Sequence, residues 1–312
     1  MMSLAADIGG TYSRLVWSGE LVRADDTEQV FENSGFDSLE SVIEHGLRRH
    51  TSGRQPIERM VLALPGPVDQ QPIKLTNIDW QVDRTELLAR FQTNSLTIIN
   101  DFQAAAIGAL QTPVGQLAAL NDAPGDDGPV VVAGAGTGLG MAWRTRRRAD
   151  EMPRATEGGH LDFAPNDAQQ LALYLALAER FGHVSYERIL SGAGLLDCYR
   201  FVAGDAARAE APAGISELAK QGDEAATQSV HLFVSIFGHY AGNLALAFNP
   251  TGGIYLCGGL TAHLAPWFDP ALFRAAYFAR GRMRPVVQKI PVYLVARHDA
   301  GLAGVRHIIS NS

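Results

Sequence analysis

Cysteine is scarce in this 312-residue chain: Cys198 and Cys257 lie far apart without Cys-x-x-Cys spacing. That excludes a disulfide framework and a cysteine-based zinc centre. No apolar run reaches the about 18 residues that a membrane-crossing helix needs, and no signal-peptide pattern opens the chain, so a cytoplasmic protein with no membrane partner is expected. Positive charge is short too. The 26 Lys and Arg face 33 Asp and Glu, a net charge of −7, which argues against nucleic acid as the main partner. The one basic cluster, Arg144-Thr-Arg146-Arg147-Arg148, reads as a solvated turn. Gly-Lys-Ser and Gly-Lys-Thr are both missing, which removes the P-loop. The dinucleotide fingerprint G-x-G-x-x-G fails as well, because Leu139 stands where its third glycine belongs. There is no low-complexity segment.

What is present centres on Val130–Trp143, VVVAGAGTGLGMAW. Val130 to Ala133 reads as a buried strand, Gly134, Gly136, Thr137, Gly138 and Gly140 as a turn, and Met141 to Trp143 as a second strand. Glycine lets a ligand approach the backbone with no Cβ in the way, and successive N–H groups in such a turn can point at one anion. The turn is therefore a candidate phosphate cradle. Near the start, Ser3 to Ile8 runs into Asp7-Ile-Gly-Gly-Thr11, with Leu15, Val16 and Trp17 beyond. This repeats the plan of apolar strand, glycine turn with threonine, apolar strand, and hints at an internal duplication with one copy in each of two domains.

The remaining chain alternates helix and strand, which indicates an α/β architecture. Asp37 or Ser38 caps a helix through Leu47, Met60–Leu64 is a strand closed by Pro65-Gly-Pro67, and Leu75–Trp80 is loop. Thr85 is taken as the cap of the next helix, Leu96–Ile99 as a strand, and Phe102–Leu110 as a helix. Gln111–Gly128, rich in Pro, Gly and Asp, reads as a linker, with the domain boundary near its start. Helices follow at Asp167–Phe181, after His183-Val-Ser-Tyr-Glu187-Arg188, and over Asp223–Phe248. Gly252–Gly259 is a third strand running into a Gly-Gly turn, Ile290–Ala296 the last strand, and Leu302–Ile309 the closing helix.

Ligands of open α/β sheets collect outside the carboxyl ends of the strands. Asn100-Asp101 stands at such an end, either as a helix cap or as a carboxylate and an amide held beside a substrate hydroxyl. Glu157 and His160 span a Gly-Gly turn and can face one small polar ligand or simply each other. Glu187 either favours a helix start or joins them. Carboxylates, an amide and an imidazole suit a polyhydroxy ligand, whose hydroxyls are paired donors and acceptors. With three glycine-rich turns for a nucleotide, the implied chemistry is phosphoryl transfer to a sugar hydroxyl, which needs mainly positioning and charge stabilisation. Asp7 would then organise Mg²⁺ through water, since Mg²⁺ keeps several waters and takes few carboxylates.

Asp7-Ile-Gly-Gly-Thr11, Ile99-Asn-Asp-Phe102, Gly134-Ala-Gly-Thr-Gly-Leu-Gly140, Glu157-Gly-Gly-His160, Tyr186-Glu-Arg-Ile-Leu-Ser-Gly192 and Cys257-Gly-Gly259 occur in the order of the bacterial glucokinase family. The resemblance, from residue 5 to about 304, is to a family of the sugar kinase, hexokinase and actin ATPase superfamily. It implies a two-domain actin-like ATPase (ribonuclease H-like) α/β fold with an interdomain cleft that closes on sugar. Residues 1–112 would form the small domain, completed by a C-terminal helix over about 300–312, and residues 113–299 the large one. By the same resemblance Asn100, Asp101, Glu157, His160 and Glu187 hold glucose, with Asp101 as general base on the 6-hydroxyl. Gly9, Gly10, Thr11, Gly136 and Thr137 meet the ATP phosphates, beside the Asp7 already assigned to Mg²⁺ on its chemistry, and Gly258 and Gly259 lie near the adenosine. A homodimer is implied too.

The chain departs from the family pattern at Tyr12, where asparagine usually follows D-x-G-G-T, and at Ala135 and Ala193, where proline is common. A kinase of the repressor-and-sugar-kinase group, acting on N-acylhexosamine or fructose, is the nearest alternative. Those proteins typically carry a cysteine-rich zinc motif after the E-G-G-H-like turn, whereas Leu161-Asp-Phe-Ala-Pro-Asn166 follows here. A catalytically weak sugar sensor is the other alternative; Tyr12 favours it, while Asp101 and the absence of a DNA-binding extension before Asp7 count against it.

Overall fold

The computed structural model describes residues 2–19, 28–51, 55–147 and 151–311. The chain forms two compact units, Met1–Gln111 with Asp299–Ser312, and Thr112–His298.

In the first unit β1 (Met2–Ile8), β2 (Tyr12–Gly19) and β3 (Glu28–Glu32) form an antiparallel meander. The helix α1 (Leu39–Arg48) follows, capped by Ser38, which exchanges capping hydrogen bonds with Ser41. Strand β4 (Arg59–Leu64) then pairs parallel with β1. Strands β5 (Ile73–Lys74) and β6 (Gln81–Val82) form a small hairpin around the expected loop. Helix α2 (Arg84–Phe91) is capped by Asp83 and not by Thr85. The Asp83 carboxylate sits one residue before the first helical residue and accepts from the Thr85 and Glu86 N–H groups at 2.7 and 3.1 Å, so the threonine supplies a donor instead. Strand β7 (Ser95–Asn100) pairs parallel with β4 and leads straight into α3 (Asp101–Leu110).

The second unit opens with a correction. Within Gln111–Gly128, strand β8 (Leu117–Ala119) pairs antiparallel at the sheet edge, so this stretch is not all linker. A three-residue strand next to Pro, Gly and Asp carries too little alternation to be seen in sequence. Next come β9 (Val130–Ala135), β10 (Leu139–Arg144) and β11 (Arg154–Thr156), again antiparallel in turn. Arg144, expected in a solvated turn, is the buried last residue of β10 and donates from Nε to the Arg146 carbonyl at 2.9 Å; Arg148 of that cluster lies outside the described residues. Helix α4 (Ala168–Phe181) is capped by Asp167. Helix α5 (Gly192–Ala203) begins later than expected, after Ser191, and leaves Glu187 in a turn and not at a helix start. The Ser191 hydroxyl can cap by accepting from Gly194 N–H at 3.1 Å, which no residue at 187–190 does. Helices α6 (Pro212–Lys220) and α7 (Glu224–Phe248) follow. Although α7 is long and apolar enough to cross a bilayer, most of its length is buried as the core helix of this unit. Strand β12 (Gly253–Cys257), helices α8 (Gly259–Leu264), α9 (Pro270–Phe278) and α10 (Arg284–Val287), and strand β13 (Val292–Val295) complete it.

The chain ends in α11 (Ala300–Ser310), which packs on α3 within the first unit. Gly108 and Gly304 permit this closeness: a Cβ on either would lie 1.9 Å from a backbone oxygen of the opposite helix, Ala300 or Ala104. Side chains on β1 alternate between two cores. Leu4, Ala6 and Ile8 join the cluster with Val42 and Ile43 of α1, and Ala5 joins Ile107 of α3 and Leu302 and Val305 of α11. By the same alternation Asp7 falls on the α3–α11 face.

Candidate functional site

Each unit carries its own set of expected residues at the carboxyl ends of parallel strands. In the first unit the β1–β2 turn is closed by a hydrogen bond from Gly9 N–H to the Tyr12 carbonyl at 2.9 Å. Asn33 props the turn from below. Its side-chain amide donates to the Gly9 carbonyl at 2.8 Å, its N–H donates to the Thr11 carbonyl at 2.9 Å, and its Oδ1 accepts from the Ser13 hydroxyl at 2.7 Å. Gly10 faces Asn77 of the β5–β6 loop so tightly that a Cβ would lie 2.8 Å from the Asn77 Cβ. Thr11 and Tyr12 are exposed, the Tyr12 ring at 46%. A cavity of about 500 Å³ opens beside Gly10 and Thr11, with Asn33, Phe36 and Trp80 among its lining. Sequence reasoning missed Asn33 and Asn77; a lone asparagine beyond an edge strand or inside a loop gives no periodic signal.

Asn100 does cap α3, its Oδ1 accepting from the Phe102 and Gln103 N–H groups at 3.0 and 3.2 Å. Its amide nitrogen remains a donor, 3.4 Å from the Gly66 carbonyl. Asp101, the first helical residue, accepts from Phe102 N–H at 2.8 Å through Oδ1. Asp7 is the perturbed group. Burial first, then the like charge of Asp101, push its carboxyl from the usual 3.8 up to about 6, against the opposing pull of Arg14. The first turn of α11 lies against it, since a Cβ on Gly301 would meet the Asp7 carboxylate oxygens at 2.5 and 2.8 Å. Two neighbouring carboxylates fit Mg²⁺, which takes one or two carboxylates beside phosphate oxygens and waters. Among the described residues, no group of three or more metal-ligating side chains gathers.

In the second unit the glycine-rich turn is closed by Gly136 N–H donating to the Gly138 carbonyl at 2.8 Å. The Gly136 carbonyl in turn accepts from Gly192 N–H at the start of α5 at 2.9 Å. A Cβ on Gly136 would meet nothing within 4 Å, and Thr137 is exposed. Strand β12 pairs parallel with β9, Cys257 opposite Gly134, which brings the Gly258-Gly259 turn beside the first. Gly258 has a φ of +100° and no room for a Cβ, which would lie 2.4 Å from the Ala135 carbonyl. Thr261, buried and unsuspected from sequence, accepts from Ala135 N–H at 3.2 Å and ties the two turns together.

Glu157, His160 and Glu187 gather in this unit. The segment before α5 runs alongside the Gly-Gly turn, with Tyr186 N–H donating to the Leu161 carbonyl and Glu187 N–H to the Gly159 carbonyl, each at 2.9 Å. Gly159 lets the Gly-Gly turn lie against the start of β10, because a Cβ there would lie 2.0 Å from the Leu139 carbonyl. His160 Nε2 stands 3.8 Å from Glu157 Oε2 and 3.7 Å from Glu187 Oε1, outside hydrogen-bond range. The Glu157 side chain is 92% exposed and the Glu187 side chain 33%. A half-open ring of two carboxylates and an imidazole can accept from and donate to adjacent hydroxyls.

A glucokinase family model matches residues 4–312. The glucokinase of Hahella chejuensis is 35% identical over 318 residues, covering 99% of this chain and 97% of that protein. That of Marinobacter nauticus is 36% identical over 317 residues, covering 99% and 98%. Among solved structures, glucokinase from an Antarctic psychrotroph matches with a TM-score of 0.81 at 28% identity, over 100% of this chain and 99% of that one. A ROK family glucokinase from Streptomyces griseus, in complex with glucose and AMPPNP, shares the fold with a TM-score of 0.63 at 21% identity over the full length of both chains.

Proposed function

The chain belongs to the glucokinase family and is an ATP-dependent glucose kinase, and we propose that Asp101 is the general base for phosphoryl transfer to the sugar 6-hydroxyl. Its carboxylate takes the hydroxyl proton as the oxygen attacks the terminal phosphorus, and ADP leaves with the electron pair of the broken P–O bond. Asn100 offers its amide N–H, and Glu157, His160 and Glu187 bind the ring hydroxyls. Gly10, Thr11 and Thr137 present backbone N–H groups and hydroxyls to the phosphates, Gly9 and Gly136 close those two turns and let the phosphates approach the backbone, and Gly258 and Gly259 border the adenosine. Mg²⁺ bound with the nucleotide would offset phosphate charge, and Asp7 is the residue that would hold it, through water. Residues 1–112 with the C-terminal helix, and residues 113–299, are taken as the two domains. A cytoplasmic homodimer feeding glycolysis completes the reading, which these last parts owe to the family resemblance.

The observation that supports it best is the gathering of Glu157, His160 and Glu187 against the glycine-rich turn, although Glu187 is 27 residues from His160 in the chain. The experiment is a coupled ADP-release assay with Mg-ATP and glucose, mannose, fructose, N-acetylglucosamine and N-acetylmannosamine. Turnover on glucose above the rest is expected. Turnover on an acylated or keto sugar instead would move the chain to the repressor-and-sugar-kinase group. Silence on all five, with glucose still raising the melting temperature, would favour a sugar sensor.

A further inference from the structure

One side chain of the sugar set also holds the other substrate's loop. Glu187 Oε1 faces His160, while Oε2 accepts a hydrogen bond from the Leu139 N–H at 2.9 Å. Leu139 is the first residue of β10, immediately after the Gly136–Gly138 turn. Gly138 lies so close that a Cβ on it would sit 2.5 Å from the same Oε2. The acceptor itself is anchored, because Glu187 N–H donates to the Gly159 carbonyl. The turn therefore leans on a carboxylate that belongs to the hydroxyl-binding ring.

We infer that Glu187 is a positioning residue for the phosphate-binding turn, in addition to being a sugar ligand. This rests on the reading above, in which Gly136 and Thr137 meet the phosphates. The carboxylate fixes where the chain leaves the turn, and so where the Thr137 and Gly138 N–H groups point. A charge-assisted hydrogen bond to a backbone N–H is stronger than a neutral one, and its loss leaves Leu139 N–H with no partner from this side chain. A glutamine can still accept from Leu139 N–H through its amide oxygen but brings no charge to the sugar hydroxyls. The two functions of the residue are thus separable by substitution.

The test is calorimetric binding of Mg-AMPPNP without sugar to the full chain, its Glu187→Ala, Glu187→Gln and Glu157→Ala variants, together with hydrogen exchange at the Leu139 amide. Glu187→Ala is expected to weaken the nucleotide about tenfold, the lower end for a lost hydrogen bond to a charged group. Its Leu139 amide should exchange faster. Glu187→Gln should stay within about threefold of wild type for nucleotide while losing glucose affinity, because its amide oxygen still accepts from Leu139 N–H, without the carboxylate's charge. Glu157→Ala should lose glucose and leave the nucleotide constant unchanged. Equal nucleotide affinity and equal Leu139 protection in wild type and Glu187→Ala would overturn the inference. A wild type that binds no Mg-AMPPNP would instead overturn the proposed function, and Leu139 protection would still decide whether Glu187 positions the turn.

Discussion

Asp7→Asn should make the metal-free protein more stable at neutral pH while abolishing turnover. The Asp7 carboxyl, facing α3 and α11 beside Asp101, is raised from 3.8 to about 6 mainly by burial and then by that like charge. At 1.36 kcal/mol for each tenfold change in proton affinity, ionising it in the folded state costs at most about 3 kcal/mol. Asp7 is only partly shielded from solvent, so about 1–2 kcal/mol is the expected size after screening. Below pH 3.8 the group is protonated in both states and the cost vanishes. Between 3.8 and 6 the folded state holds the extra proton, so wild-type stability falls as pH rises and levels off above 6. Asparagine keeps the shape and has no charge to bury. Urea unfolding in EDTA at pH 4.5, 5.5, 6.5 and 7.5 should therefore show a gap favouring Asp7→Asn that widens with pH and is constant above about 6.5. Asp101→Asn should shrink the gap, since it removes the second cause of the shift. An Asp7→Asn protein that is less stable than wild type at pH 7.5, or a gap independent of pH, would refute the reasoning. The loss of turnover alongside a gain in stability is the usual trade at a strained functional carboxylate.

Asp101→Ala should fold normally, because the Asn100 cap of α3 remains, yet lose about 10²–10⁴ in kcat, the usual worth of a general base; near-wild-type turnover would remove Asp101 from that role. Cys198 and Cys257 are buried and both thiols are pushed up to about 12 by desolvation, with the Asp197 charge adding to the effect at Cys198. Neither should react with a thiol reagent in the native protein at pH 8, and both should after denaturation; native labelling would contradict their burial. Gly108→Ala should cost about 1–3 kcal/mol by driving α3 from α11, as overpacking does. A thermal melt unchanged from wild type would mean the two helices separate without penalty.

Much of the fold was legible because apolar runs and glycine turns mark strands and their ends. Strand β9, with every residue buried, follows from its apolar run, whereas β3 gave no such signal, because Gln29 is buried and Val30 exposed. What sequence could not supply was the partner of each polar residue. Asp83 and Thr85 are both good caps by type, and only the position of the first helical turn chooses between them. Glu187 looked like a helix-start residue because no local signal says that α5 waits for Ser191. The membership of Glu187 in the ring with Glu157 and His160 comes from two backbone hydrogen bonds between distant segments, which no spacing rule encodes. Asn33, Asn77 and Thr261 were invisible for the same reason, as Asn33 and Thr261 brace backbone laid down elsewhere in the chain and Asn77 packs against Gly10.

The duplication suspected from two glycine turns extends to the topology of the sheets. In the first unit the order is β3-β2-β1-β4-β7, and in the second β11-β10-β9-β12-β13 with β8 added at the edge. Each begins with the same antiparallel meander and continues with the same two parallel strands. A hairpin whose first strand also borders a parallel neighbour must turn at the carboxyl end of that strand, where open α/β sheets bind ligands. Two copies therefore put a glycine turn at the ligand-binding end of each sheet. The glycines then divide by physical cause. Gly10, Gly138 and Gly258 are required by the packing of Asn77, Glu187 and Ala135 against them. Gly136 and Gly259 have no neighbour within 4 Å of where a Cβ would be, and a backbone of ordinary φ there has no steric need of glycine. Open space above a backbone turn at a ligand-binding edge is what phosphate and adenosine would need, and packing within the protein offers no competing explanation for those two positions.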